Sequence, residues 1–408
     1  MTCGTASSDA VSNFGETILK SNGGPTRRPS IEAVSKSLRR AVHERLLRVG
    51  FKKNGHGYFI PGALTKETIR GLHRLRRIEH RDTHRHLIHR GGIELSAHFA
   101  CGADVTPERI DPELVSVRSG TKEADLFRIA TLLWSIPVSR GFGRRLRFLV
   151  RDKQNGKLIG LFGLTDPVFN LGARDEWIGW SAEDRRERLV RVMDAFVVGA
   201  VPPYAQLIGG KLVAALMTSL EVNRACERKY RRAESVIRKQ VKPSKLVLLT
   251  TTSALGRSSL YNRLRVPGGT GFERIGDTRG FGHFHLSGHL FERLRSYLAA
   301  LDHPYAYGHR FGMGPNWRIR VVREALESIG LEPDSILKHG IQREVFAAPL
   351  ATNWRQVLKG EHARVRARLL PAQAIADYCI ARWMLPRSVR DLTYRSVTRE
   401  SILAAMKR

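Results

Sequence analysis

Between positions 30 and 50 the apolar residues return every three or four places, as Leu38, Val42, Leu46 and Val49, while Arg39, Arg40, Arg45 and Arg48 take positions between them. That spacing is the period of an amphipathic helix, with Ser30 placed to start it and Gly50 to stop it. After Thr65 the pattern repeats: Ile69, Leu72, Leu75 and Ile78 fall on one side, and Arg70, Arg74, Arg76 and Arg77 on the other. Together these stretches predict a basic, mainly helical N-terminal module over 30–125. The 29 residues before it are rich in Ser, Gly, Thr and Asn, too polar to bury a core, and predict a flexible tail.

The texture changes after Asp125. Leu146 to Val150 and Lys157 to Leu164 are apolar runs on either side of Asn155-Gly156, a dipeptide that tolerates positive φ at both centres of a type I′ turn, so a β-hairpin is predicted. A helical stretch from Ala182 to Met193 leads into a strand-like run from Phe196 to Val201, ended by Pro202-Pro203. A helix is then predicted from Gln206 to Leu220, a strand over Leu246–Thr252, a short helix over Arg257–Arg265 and a strand over Phe272–Gly276. Helices that cross over between strands make a mixed sheet. From His303 onward the pattern is mainly helical again, with helices over Trp317–Ile329, capped by Gly330, and over Ala372–Met384. The expectation is a mixed α/β protein: an α/β core over 126–300 between the helical N-terminal module and a mainly helical C-terminal region over 301–408.

Charge changes what this fold is for. The 408 residues carry 69 Lys and Arg against 38 Asp and Glu, a formal net charge of +31. The excess concentrates in three stretches. Arg27 to Arg90 holds 17 basic and 5 acidic residues, Arg224 to Lys245 holds 9 and 2, and Trp354 to Arg408 holds 12 and 4. Arg dominates the first and third, and its planar fork grips phosphate in a bidentate manner. A surface of this sign attracts polyanions, so the expected partner is a nucleic acid, DNA first. Cys3, Cys101, Cys226 and Cys379 lie far apart, which argues against a disulfide framework or a structural zinc site. No segment approaches the roughly 18 apolar residues that span a bilayer, and no secretory signal opens the chain. A soluble, cytoplasmic protein without membrane contact is expected.

The order of elements from about Leu146 to Ser287 resembles the acyltransferase fold of the GNAT superfamily. A longer likeness runs from about Leu38 to Arg355. The strings RFLVRD at Arg147, GKLIGLFGLTDPVFNL at Gly156, RDEWIGW at Arg174, MDAFVVGAVPPYAQLIGGKLVAAL at Met193, LTTTSALGRSSLYNRL at Leu249, GFGHFHLS at Gly280, GPNWRIRVVREAL at Gly314 and HGIQREVF at His339 resemble the DruA family of the Druantia anti-phage defence system. What that resemblance implies is a role in bacterial defence beside a large helicase-like partner; it supplies no reaction.

Several constellations are candidates for chemistry. Gln206, Gly209, Gly210 and Lys211 stand where a strand gives way to a helix, and a helix N-terminus with close-packed glycines and a Lys suits a phosphate. The corresponding GNAT turn holds the pyrophosphate of coenzyme A. Gln206 and Gly209 match its pattern, while Lys211 replaces its last small residue. A Walker A loop fits poorly, with Ala205 and Leu212 at two of its key places. Tight strand–helix packing, a nucleic-acid or nucleotide phosphate, and acyl-CoA are the three readings of this turn. Tyr261 occupies the place where many GNAT enzymes keep a tyrosine that protonates a departing thiolate; the alternative is a core residue with its hydroxyl at the rim. Asp166, Asp175, Glu176, Glu183, Asp184 and Asp194 would hold magnesium if two or three converge, or else pair with the arginines around them, and Asp175 and Asp194 are the first candidates. His80 with His84 on one helical run, and His283 with His285 one residue apart on an expected strand, share faces as metal ligands do, yet no Cys or carboxylate completes either set, so no metal and no cofactor is assigned. Trp317-Arg318 and Trp354-Arg355 suit stacking on unpaired bases, against burial as core anchors.

The expected function is capture of DNA within an anti-phage system, with Arg39, Arg40, Arg70, Arg74 and Arg77 on the helices, Arg257 and Arg263 by a cleft near Lys211 and Tyr261, and Trp317 with Arg318 as a separate stacking pair. The alternatives are a GNAT-like acyltransferase and a metal-dependent nuclease or strand-transfer enzyme. Whether any reaction is catalysed is left open.

Overall fold

The computed structural model describes residues 30–139, 141–234, 241, 243–307 and 317–407. The tail expected over 1–29 and positions 235–240 and 242 of the second basic stretch lie outside the described residues. Helix α1 (Ile31–Val49) starts where the Ser30 hydroxyl accepts from the Ala33 amide, stops at Gly50 with φ 114°, and buries Leu38, Val42, Leu46 and Val49 as the spacing requires. A two-stranded hairpin that the periodicity did not reveal, β1 (Lys52–Asn54) with β2 (Gly57–Phe59), follows it. The second expected helix is divided into α2 (Lys66–Leu72), α3 (Arg74–Thr83) and α4 (Arg85–Ser96). Thr65 caps α2, and Ile69 and Leu72 are buried. The break at His73 turns the stripe aside, leaving Leu75 half-buried and Ile78 exposed.

Strand β3 (Pro112–Ser116) and helix α5 (Lys122–Ala130) precede the expected hairpin, β4 (Arg145–Asp152) with β5 (Lys157–Thr165). Gly156 takes φ 70° as predicted, but the turn has four residues. The buried Asp152 carboxylate accepts from the Gln154 amide, and the Asn155 side chain donates to Asp104 O and the Tyr204 hydroxyl, so the wider loop is held by its own side chains. Helices α6 (Gly172–Ile178) and α7 (Ala182–Arg188) lead to β6 (Val192–Ala200), which begins earlier than its apolar run suggested. The helix expected over Gln206–Leu220 is shorter, α8 (Gly209–Leu216), and a second helix, α9 (Leu220–Tyr230), capped by Ser219, follows it into the basic segment. After β7 (Leu248–Thr252), residues 257–265 form turns instead of the expected helix. Their carbonyls serve the Lys211 ammonium, which donates to Leu260 O at 3.0 Å and Asn262 O at 2.7 Å. Strand β8 (Glu273–Asp277) follows, and His283 and His285 sit at a 3-10 turn, not on a strand.

The remainder holds α10 (His289–Ala300), α11 (Trp317–Ser328), α12 (Pro333–Leu337), β9 (Glu344–Pro349), α13 (Trp354–Lys359), α14 (Ala372–Cys379), α15 (Leu385–Arg390) and α16 (Arg399–Lys407). Strand β9 is the sheet element hidden in the region read as helical. The seven-stranded sheet runs β3-β4-β5-β6-β7-β9-β8. Every junction is antiparallel except β6 with β7, and that parallel pairing covers only Val192–Ala195 opposite Leu248–Thr251. Beyond it β6 continues beside β5 alone, with a register shift that leaves Phe196 out of step.

Alternation along the strands feeds separate cores. Phe148, Phe162 and Met193 pack with Leu212, Leu216, Val222 and Ile375 from α8, α9 and α14. Leu149, Leu161 and Val197 pack with Leu126 and Phe127 of α5 and Ile402 of α16. A further cluster joins Leu38, Val42 and Leu46 of α1 to Leu294 of α10, Val322 of α11 and Ile336 of α12. The mixed α/β class expected from the pattern is the class observed.

Candidate nucleic-acid interface

Strand β3 stops before it has covered the whole of β4. Its last pair is Ser116 with Phe148, so Arg145 and Leu146 have no partner strand on that side. Tyr230, at the end of α9, takes the strand's place: its hydroxyl accepts from the Arg145 amide at 2.6 Å and donates to the Arg145 carbonyl at 2.8 Å. The Lys229 ammonium adds a donor to the same carbonyl at 2.8 Å. This arrangement opens a cleft of about 1190 Å³ walled by β3, the start of β4, α9 and the beginning of α14.

Seven basic side chains line the cleft and two acidic ones. Arg128 is paired with Asp125 and Lys153 with Asp111. Arg147 donates to the Ser119 hydroxyl and lies over the Phe127 ring, with no carboxylate partner among the described residues. Its guanidinium is pushed down from its ordinary pKa by burial and by the like charges of Arg128 and Arg145, and Lys229 is pushed down by burial, Arg147 and Arg145. Depression by neighbouring like charges marks cations crowded without sufficient counter-charge. Arg118 and Arg228 complete the lining. Glu221, one of the two acids, spends an oxygen on the Ala372 amide. The sequence signal for this place was Arg145 and Arg147 alternating with buried Leu146 and Phe148, a period-2 polar face unlike the helical period of the other basic stretches.

The residues singled out from the sequence do not gather here. Arg40, Arg74, Arg257 and Arg263 are exposed and make no ion pair among the described residues. Arg70 pairs with Glu67. Arg77 is half-buried, its pKa lowered by burial and by Arg81. Arg39 donates twice to the Ile329 carbonyl, at 2.9 and 2.6 Å, closing the end of α11. Trp317 is a buried anchor whose indole donates to Tyr305 O, and Arg318 lies over the Phe291 ring. Trp354 stacks on Trp177 at 4.2 Å with Arg355 above it, half-buried.

At the turn before α8 the amides of Leu207, Ile208, Gly209 and Lys211 all donate to nearby backbone carbonyls. A Cβ on Gly209 would stand 2.7 Å from the Tyr204 carbonyl oxygen, so this glycine serves close packing. Lys211 gives its protons to the carbonyls of the 259–262 turn and lies over the Trp383 ring, and Gln206 O accepts from Arg387. Gly210 approaches the Leu260 side chain. Tyr261 is buried between Phe272 and Phe346, its hydroxyl 3.1 Å from Thr251 Oγ1. Burial pushes its phenol well above the usual range.

The carboxylates also separate. Asp175 is locked between Arg174 and Arg185 and accepts the Leu171 amide. Asp194 stands on the parallel seam, accepting from Thr250 Oγ1 at 2.8 Å. Burial raises its carboxyl to about 6, against the pull of Thr250 and Arg174. Among the described residues no group of three His, Cys, Asp or Glu side chains is placed to hold a metal ion. The His80 and His84 rings lie 4.6 Å apart, tilted by 50°. No helix among the described residues is long and apolar enough to cross a membrane.

Fold and cleft together define a strongly basic mixed α/β protein, with helices over a seven-stranded sheet and an under-compensated cationic cleft at one sheet corner. Within that class the chain belongs to the DruA family: the family model described as Druantia protein DruA matches residues 63–360. It is similar to a curated Druantia protein DruA from Escherichia coli (strain UMEA 4076-1), at 46% identity over 359 residues, covering 88% of this chain and 89% of the relative. No solved structure matches it significantly.

Proposed function

We propose that this chain is the nucleic-acid-holding component of a Druantia anti-phage defence system, gripping DNA backbone in the cleft between β4 and α9 and presenting it to a helicase-like protein of the same system. The observation that supports this reading is the excess of cationic over anionic side chains around Arg147 in a cleft of about 1190 Å³. Such a site neutralises phosphates and releases condensed counter-ions, which gives binding without base preference. Exposed Arg40, Arg74, Arg257 and Arg263 extend the positive field and raise the encounter rate. Family membership supports the defence setting.

The test is fluorescence anisotropy of labelled single- and double-stranded DNA over a salt series, with Arg147→Glu and Arg228→Glu beside the wild type. Binding that strengthens steeply at low salt and weakens in both variants is expected. Undetectable binding, or variants indistinguishable from the wild type, would refute the reading.

A second reading, acid–base or acyl-transfer chemistry on a GNAT-like sheet, is favoured by Asp194, a carboxyl near neutrality at the parallel seam where β6 and β7 part. Calorimetry with acetyl-CoA decides it: no heat removes it.

A further inference from the structure

Where the end of α14 meets the start of α8 and the turns after Tyr261, another hollow opens, of about 450 Å³. Lys211, Arg263, Arg265 and Arg382 line it together with Tyr378 and Trp383, and no acidic side chain does. The Lys211 ammonium is spent on the carbonyls of the 259–262 turn. The three guanidiniums are not spent: Arg263, Arg265 and Arg382 are exposed, and their side chains make no hydrogen bond or ion pair among the described residues.

An irregular helical turn brings the two rings to this hollow. Tyr378 and Trp383 are five residues apart, which on an α-helix is about 140° of rotation and places them on different faces. Here the Leu385 amide donates to the Ile380 carbonyl, five residues back, so Ile380–Met384 is a wide π-turn. Pro386 is its local cause, having no amide for the Arg382 carbonyl and a ring that crowds it. Through the wider turn Trp383 meets Tyr378 at 5.6 Å, edge to face at 86°. The Lys211 ammonium stands 5.3 Å from the Trp383 centroid while it grips Leu260 O and Asn262 O, so the indole is tied to the facing turn. The indole is thereby fixed, yet only half-buried. On the turn wall Arg263 holds φ 56°, a left-handed conformation that an Arg adopts at a cost. Two unfavourable backbone conformations thus shape one small cavity, and π-turns of this kind recur at functional sites.

We propose that this hollow is a binding pocket for one nucleotide unit, its base laid against the Trp383–Tyr378 pair and its phosphate held by Arg263, Arg265 and Arg382. A base gains from an aromatic face, and the guanidinium forks match phosphate oxygens. A lining with cations and no carboxylate selects a phosphorylated ligand over a neutral or cationic one. The unit comes as a free nucleotide or as an unpaired residue of a strand. The pocket shares no lining residue with the backbone cleft, so either site can fail its test without the other.

Calorimetry on the full chain with dTMP, thymidine and inorganic phosphate tests it. dTMP binds at least about tenfold more tightly than either fragment, since base and phosphate each contribute. Arg263→Gly combined with Arg382→Gln weakens dTMP about tenfold or more, while the thermal midpoint holds or rises because both positions are exposed and glycine accepts the positive φ. Trp383→Leu brings dTMP down to the affinity of phosphate alone. An oligo-dT strand beside the same strand with one base removed separates the sources: a preference for dTMP over its fragments points to a free nucleotide, and a preference for the intact strand that vanishes in the double arginine variant points to an unpaired residue. Equal affinity for dTMP and phosphate, together with equal binding of the intact and abasic strands, overturns the proposal. So does a base preference that survives in the double arginine variant, or dTMP binding that is lost in Arg147→Glu.

Discussion

A guanidinium at zero exposure is costly unless each of its donors is met, and Arg174 satisfies that condition with the Val168 and Phe169 carbonyls, the Asp175 carboxylate and the face of Trp180. Arg174→Ala leaves the two buried carbonyls without their donors and Asp175 with Arg185 alone, so a loss of about 3–5 kcal/mol in urea unfolding is expected. Asp194 behaves oppositely. Its carboxyl titrates near 6 in the folded chain against an ordinary value of 3.8, so the folded state binds the proton more tightly. Stability therefore falls as pH climbs from about 4 to about 6 and stays lower above that window. Asp194→Asn keeps the hydrogen bond with Thr250 and removes the penalty. The variant is expected to exceed the wild type by roughly 1–2 kcal/mol near neutral pH, discounted for the solvent that reaches the group, with the gap closing below about pH 4. Urea titrations across that range check it; a gap independent of pH would sink it.

At the scale of elements, the junction between β6 and α8 depends on the absence of a side chain at Gly209. An added methyl group would meet the Tyr204 carbonyl at 2.7 Å, backbone that cannot yield cheaply. Gly209→Ala is expected to cost about 1–3 kcal/mol, read as a lowered midpoint of thermal unfolding. This position also shows what the sequence could and could not reveal. Two glycines at a strand–helix turn read equally as phosphate cradle or packing, because both need close backbone approach; only the placement of Tyr204 and Leu260 distinguishes them. Helix α1 was legible to its end residues, since Ser30, Gly50 and the apolar stripe are all local signals. The hairpin β4–β5 was legible for the same reason. Strand β9 was not: its run Val345–Ala348 is short and wholly buried, and nothing nearby in the chain announces the strands it joins. The cleft residues escaped because their meaning comes from α9 lying beside β4, a tertiary fact.

For the whole molecule the governing quantity is charge that no internal partner absorbs. Many arginines are spoken for, Arg39 by a helix end and Arg174 by a carboxylate, and composition alone could not say which. Those left over around the cleft set the expected salt dependence. Replacing Arg147 and Arg228 by Glu should flatten the plot of log affinity against log salt by about one unit for each phosphate that is no longer neutralised. A slope unchanged by both substitutions would remove the cleft from the binding surface.

The position of β9 also governs how the protein is made. It lies between β7 and β8, both synthesised well before it, so a ribosome that has produced everything up to residue 340 holds a chain whose sheet has a missing plank. Two bare strand margins then face solvent until translation supplies Val345 to Ala348, and pairing this remote in sequence closes slowly. Interrupted synthesis in that window should yield aggregates, not a smaller native protein.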